Sequence, residues 1–434
     1  MRLAVLAAVL LVTTPTLAVE AVTYKGTLGN LEILAELASP ARGSLVGRYS
    51  YLNKGGDIPL DLLEGANGEI RMAEEAPCTV TTCVADSNGD VTDKPIGATW
   101  TLTQSRDGAT LTGTWQGAGK DGKSFPIKLE RIGDRELPEG TVLTPYGIYD
   151  SISMLTYDGD EIFAPHTAPY DFAKSEVVMD AGPEETLEGS TFRYVTDPRT
   201  KFAFPRVLEL ADGSSTKMIN EALERRHAQL NYSAFDCLAQ AYAGFGANQN
   251  TAGMETGTLG GWDEESVVLG YLSPTVINWT ESGSTYCTGA HPDNHSYTTI
   301  LDVETGEALP LAKVFKDWVA TGSMDDYGAE VDQSVAIDNP SRYFWAADKA
   351  LVDYVIANRT PAEDSEYEEQ CGIDELIASN LGMRFAPGDQ VVFSLDGLPF
   401  VSFACTMDLL TVKLAAIPQL LAPTASEYFP DLKP

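Results

Sequence analysis

The chain has 434 residues, with 63 acidic side chains against 29 Lys and Arg, and a formal net charge of −34. Its hydrophobic content of 44% is that of a folded protein, so the charge is a surface property rather than a mark of disorder. Such a surface excludes nucleic acid and anionic lipid as partners and suits cations, basic proteins or plain solubility.

Met1-Arg2 precede an almost wholly apolar run, Leu3 to Val12, closed by Thr13-Thr14-Pro15-Thr16-Leu17-Ala18. A short positive start, an apolar core of about ten residues and a small-residue exit form a secretory leader. Residues 1–21 are assigned to it, with cleavage after Ala18 or Ala21. The core is shorter than the roughly 20 residues of a membrane span, and no Cys follows it for lipid attachment. The expected location is periplasmic or secreted, with no membrane insertion of the mature form. The residues that remain are too many for one ordinary core, so more than one domain is expected.

From residue 22 to 132 the chain reads as β. Leu31 to Leu37, Ser44 to Tyr51, Ala98 to Thr103, Ala109 to Trp115 and Phe125 to Ile132 alternate in part, and Gly- and Asp-rich turns separate them. Two strands echo each other: a turn glycine, alternating residues, then Gly47 or Gly113 before a polar-aromatic pair. The unit is expected to be a meander or small barrel of about six to eight strands. Residues 133–147, with Pro138, Gly140, Pro145 and Gly147, read as a linker.

Residues 148–434 are expected to form an α+β domain of helices packed on antiparallel sheet. Short strands are placed at Ile152–Tyr157 and Thr191–Thr196. Ser214 to Tyr242 puts Ile219, Leu223, Leu230, Ala234 and Cys237 on one helical face. Glu265–Leu272, Thr275–Cys287 and Ser296–Val303 read as strands. A second helix is placed from an Asn339 cap with Pro340 at its first position to Asn358, with Phe344, Ala347, Leu351 and Val355 inward. Glu363–Glu369 reads as an acidic loop. Gln390–Leu395, an Asp396-Gly397 turn and Phe400–Cys405 read as a hairpin.

Six Cys, an even number in an exported chain, predict disulfides. Cys78 and Cys83 close a local loop. Cys237, Cys287, Cys371 and Cys405 allow three connectivities, of which Cys237–Cys287 and Cys371–Cys405 join neighbouring elements.

Several motifs fail on context. Gly117-Ala118-Gly119-Lys120-Asp121-Gly122-Lys123-Ser124 satisfies the phosphate-loop pattern, but a strand with Pro126 follows where a helix is required, so it reads as a hairpin turn. Asp86 to Asp93 opens like a calcium loop yet has Val91 and Gly97 where Gly and Glu belong. No Ser sits in a Gly-x-Ser-x-Gly elbow. No cofactor and no catalytic residue are expected. The candidate binding residues are His291, Asp293 and His295, a loop that would hydrogen-bond its surroundings or bind a metal with Asp302 helping.

Tyr286-Cys287-Thr288-Gly289-Ala290-His291-Pro292, followed by Ser296 to Leu311 with its Thr305-Gly306 turn and Val314-Phe315, resembles the RsiV C-terminal-like domain of unknown function. Phe204 to Leu208 before Ile219-Asn220 looks like that family's opening strand and helix, and Val392 to Leu398 like its closing hairpin. The family occurs in lysozyme-sensing anti-sigma factors and beside peptidoglycan deacetylase domains. Here neither a cytoplasmic sigma-capturing segment nor a deacetylase domain is present, and Phe403 to Asp408 departs from the family's closing segment. The resemblance implies an exported, non-catalytic envelope binding protein, for a basic protein such as lysozyme or for a cell-wall ligand. The alternative is a periplasmic hydrolase acting on envelope carbohydrate or peptide through a carboxylate pair that the sequence does not single out.

Expressed in a diderm bacterium, the protein should be recovered from the periplasmic fraction with Val19 or Val22 at its N-terminus. An intact Met1 on protein from the membrane pellet would refute the leader assignment.

Overall fold

The computed structural model describes residues 19–38, 45–63, 69–79, 81–87, 91–150, 164–247, 259–287, 292–326, 328, 330–361 and 365–432. The leader up to Ala18, the strand expected at Ile152–Tyr157, His291 and part of the calcium-like run (Asn88, Gly89, Asp90) lie outside these residues.

The first unit is a closed barrel of eight antiparallel strands in simple meander order. They are β1 (Glu20–Leu28), β2 (Leu31–Ala38), β3 (Val46–Tyr51), β4 (Asp57–Leu63), β5 (Glu69–Glu75), β8 (Ile96–Gln104), β9 (Thr110–Gly117) and β10 (Ser124–Glu136). A two-stranded hairpin, β6 (Val84–Ala85) and β7 (Val91–Asp93), lies between β5 and β8. Pairing of β1 with both β2 and β10 closes the ring, which leaves no open edge. Alternate residues fill the inside: Ile33 and Ala35, Tyr49, Leu60, Met72, Trp100 and Leu102, Leu111, Ile127 and Leu129. The echoed glycines have a steric cause. A Cβ on Gly113 would stand 1.9 Å from the Thr101 carbonyl oxygen, and one on Gly47 2.4 Å from that of Glu36. The phosphate-loop look-alike is the β9–β10 turn, with the Gly117 N–H donating to the Lys123 carbonyl at 3.0 Å. β10 runs on to Glu136, into the stretch read as linker.

The outer wall of this barrel is charged and buried. Arg48, paired with Glu36 across β2 and β3, has no solvent exposure. Its Nε donates to Glu36 at 2.8 Å, Nη1 to Asp57 at 2.9 Å and Nη2 to Asp171 at 2.7 Å. Asp171 belongs to α1 (Pro169–Ser175), which lies over the wall. Arg135 donates to the other Glu36 oxygen at 2.6 Å, and Lys174 to Asp57 at 2.8 Å. Three cations thus meet three carboxylates. Burial opposes charge on Glu36, but Arg135 and Arg48 outweigh it and hold its pKa down at about 2. Burial likewise opposes charge on Arg48, and its three carboxylates raise its pKa well above the ordinary value.

The remainder corrects the expected class. Strand makes up 43% of the structure and helix 25%, so the protein is mostly β rather than α+β. In place of one antiparallel sheet with helices packed on it, the second half holds several small sheets. These are β11 (Asp180–Leu187) to β13 (Ala203–Glu209) through β12 (Ser190–Thr196); β14 (Trp262–Leu272), β15 (Val276–Thr285) and β16 (Asp293–Asp302); the pair β17 (Trp318–Ser323) and β18 (Tyr343–Ala347); and β19 (Leu381–Ala386), β20 (Gln390–Leu395) and β21 (Met407–Lys413). The long helix α2 (Lys217–Ala239) joins one core with Phe204, Ile277 and Trp279, and a second core gathers Phe315, Phe385, Phe393 and Leu351.

Three elements differ from the sequence reading. No helix runs from Asn339 to Asn358. Pro340–Arg342 makes one 3₁₀ turn, the β-forming aromatics from Tyr343 pair with β17 and leave Phe344 41% exposed, and α3 (Lys349–Asn358) starts afresh. Its cap is Asp348, whose carboxylate accepts from the Ala350 and Leu351 N–H groups. Phe400–Cys405 is a 3₁₀ helix, and the strand that pairs with β20 is β21. The acidic segment Ser365–Cys371 is helical rather than a loop. Disulfides join Cys78–Cys83, Cys237–Cys287 and Cys371–Cys405.

Replacing Arg48 by Met should cost about 3–5 kcal/mol of unfolding free energy, because three buried carboxylates lose their shared partner. Urea unfolding measures this. Lys349→Ala, which removes the exposed pair with Asp353, should leave the midpoint unchanged. Equal effects of the two substitutions would contradict a buried network of this kind.

Candidate functional site

The candidate groove follows from the register of β14, β15 and β16. Gly283 on β15 pairs with Glu265 on one side and His295 on the other. Paired residues point to the same face of a sheet, so only the missing side chain at Gly283 lets the two outer ones meet. They do: His295 Nε2 lies 3.1 Å from Glu265 Oε2. The same oxygen accepts the Trp262 indole N–H at 3.0 Å, while Glu265 Oε1 is buried with no partner among the described residues. Two residues along β15, Glu281 accepts both arms of Arg226 from α2, at 2.8 and 2.6 Å, and the Trp279 indole N–H at 2.8 Å. The His295 ring stacks on Tyr297 at 5.4 Å between centroids.

A groove of about 780 Å³ opens over this floor, with Phe202, Trp262 and Phe403 in its walls. Of the three expected binding residues, His291 lies outside the described residues. Asp293 is exposed at the start of β16, and its charge acts on His295. His295 is not on an exposed loop: it is in β16, and only 7% exposed. Asp302, at the far end of the same strand, is seven residues away and pairs with Val276. No group of three or more His, Cys, Asp or Glu side chains able to hold a metal occurs among the described residues.

Glu265, Trp262, Glu281 and Arg226 escaped the sequence reading. Trp262 and Glu265 meet within β14, three residues apart across an irregularity of the strand, and Arg226 reaches Glu281 from α2, so no alternation pattern links the four. Gly283 inside an alternating strand was the one local sign, since such a glycine often marks a close approach.

Chemically, the pair resembles the base-and-orienter half of a hydrolytic triad, but among the described residues no hydroxyl or thiol is hydrogen-bonded to the His295 ring. What the geometry shows is an ion pair of His295 with Glu265. Burial lowers the imidazole pKa, and the hydrogen bond and charge of Glu265, helped by Asp293 and Glu281, raise it further, for a net rise above the ordinary 6.5. A raised native pKa means stability that is full below the unfolded value and lost as pH climbs through the native one. The stability difference between the protein and His295→Gln, read from thermal unfolding, should thus be largest near pH 6 and shrink toward pH 9. A difference independent of pH would show that the imidazolium is not paired.

No protein-family model and no curated protein matches the chain.

Proposed function

We propose that the protein is a non-catalytic, extracytoplasmic binding protein of the cell envelope whose partner is a basic protein, and that the His295–Glu265 groove receives a cationic side chain of that partner. The observation that carries this reading is Glu265, a fully buried carboxylate on the groove floor with one oxygen lacking a hydrogen-bond donor. A Lys or Arg head in the groove would be drawn by the charge of this carboxylate beneath the floor, and the rings of Trp262, Phe202 and Phe403 suit a cation over their faces. Lys201, exposed at the rim, is outweighed by the net charge of −34, which steers basic proteins toward the chain. Three disulfides fit an oxidising compartment. No helix among the described residues is long and apolar enough to cross a membrane. The resemblance of the second half to the RsiV C-terminal-like domain supports the same class of partner. Glycoside hydrolysis by a carboxylate pair needs two facing carboxylates, and Glu265 is the one carboxylate among the groove's described lining residues.

The probe is hen-type lysozyme, titrated calorimetrically into the full mature chain at low salt and at about 0.15 M, where the Debye length is roughly 8 Å. Binding should persist at the higher salt, and Glu265→Gln and Trp262→Ala should each weaken it by about tenfold there. Absence of binding at low salt would reject the partner class. Unchanged affinity in both variants would reject the groove.

A further inference from the structure

A second groove, on the other side of α2, has the opposite character. It measures about 740 Å³ and lies where α2 runs along β13. The Asn220 side chain clamps helix to strand, accepting the Val207 N–H at 2.9 Å and donating to the Val207 carbonyl at 2.8 Å. Phe204 stacks on His227 at 5.4 Å. Between these two contacts, Arg206 extends from β13 into the groove lining.

His227 sets the posture of Arg206. The ring has no solvent exposure, and its Nε2 sits 3.1 Å from the Phe202 carbonyl oxygen. A carbonyl only accepts, so Nε2 carries the proton and Nδ1 is left as an acceptor. Arg206 Nη2 donates to that Nδ1 at 3.2 Å, and Nη1 donates to the Pro205 carbonyl at 2.9 Å. Burial, with the Arg206 charge adding to it, pushes the His227 pKa down to about 4, so the ring stays a neutral acceptor at ordinary pH. Two of the five guanidinium N–H groups are thereby engaged. Three remain, and among the described residues the nearest carboxylate, Glu224, is 3.8 Å from Nε and 65% exposed. Arg48, Arg199, Arg226, Arg359 and Arg384 each donate directly to a carboxylate oxygen; Arg206 does not.

We propose that this groove binds an organic anion, a carboxylate carried on an apolar body, independently of the site for a basic partner. Arg206 takes the carboxylate, since the open edge of a guanidinium matches a planar carboxylate with two parallel N–H donors. Val177, Met179, Val195 and Leu208 in the groove lining take the apolar body. Burial lowers the Arg206 pKa to about 10 with Glu224 only partly opposing, as for a cation lacking a close counter-ion. In a chain of charge −34, a held guanidinium with open donors favours an anion that the rest of the surface repels, which makes the groove selective.

Two sources share this chemistry, a fatty acid and the C-terminal end of a peptide. Calorimetric titration of the full chain with sodium decanoate, with N-acetyl-leucyl-leucine and with the amide of that dipeptide separates them. At least one carboxylate should bind, and whichever does identifies the source; the amide should bind about tenfold more weakly than its acid or not at all. Arg206→Met should reduce carboxylate binding by tenfold or more. Should that variant misfold by circular dichroism, Leu208→Asp, at a partly exposed wall position, serves instead and should have the same effect. Glu224→Gln removes the competing carboxylate and should tighten binding several-fold, a gain that a purely structural Arg206 would not give. The proposal is overturned if neither carboxylate binds, if the amide binds as well as the acid, or if binding survives intact in the Arg206 and Leu208 variants.

Discussion

Arg48 reaches three carboxylates from the outer wall of a barrel, where a small soluble barrel would normally meet water. A guanidinium without solvent is tolerable only when its donors and its charge are both met. Glu36 and Asp57 come from the barrel, but Asp171 comes from α1, more than a hundred positions along the chain. Lys174 then balances Asp57, and the Tyr170 hydroxyl donates to the same carboxylate at 2.7 Å. The barrel wall is therefore incomplete without the segment that follows it. The Arg48 guanidinium also stands 4.2 Å from the Tyr170 ring centre, so packing and charge fix α1 in one place.

From that anchor the chain continues into small sheets, and α2 links them. Its Phe235 lies against Gly55 of the barrel, its Cys237 is bonded to Cys287 beyond β15, and its middle turns line the Arg206 groove. Consecutive residues serve opposite ends. Arg226 turns toward Glu281 beside the acidic groove, and His227 turns toward Arg206 at the floor of the basic one. One helix thus fixes Glu281, two residues along β15 from the aromatic-walled groove, and the guanidinium of the apolar-walled one through neighbouring side chains, which the 100° step between successive helical residues sends in different directions.

Both grooves use the same physical device. A charged group is held by a partner that uses part of its hydrogen-bonding capacity and leaves the rest open. For Glu265 the holders are His295 and Trp262, and Oε1 is left over; for Arg206 they are His227 and Pro205, and three N–H groups are left over. Buried polar groups are normally satisfied, so an open donor or acceptor in a groove wall is the feature on which both proposals rest.

What the sequence determined by itself is local. Alternation and turn residues placed five of the barrel strands, and the proline after the glycine-rich run marked a hairpin rather than a phosphate loop. The periodic apolar face from Ile219 to Cys237 marked α2, and even cysteine parity with neighbour logic matched the three bridges found. Each of these depends on residues close in the chain, or on counting. The tertiary structure alone decided the rest. Barrel closure, the mostly-β balance, the strand at Tyr343 where a helix was read, and the burial of His295 in β16 all depend on partners supplied from elsewhere. The meeting of Glu265 with His295 depends on two register choices across Gly283, and that of Arg48 with Asp171 on how α1 folds back. Such contacts are set by which surfaces pack, and packing brings together residues whose spacing in the chain carries no trace of it.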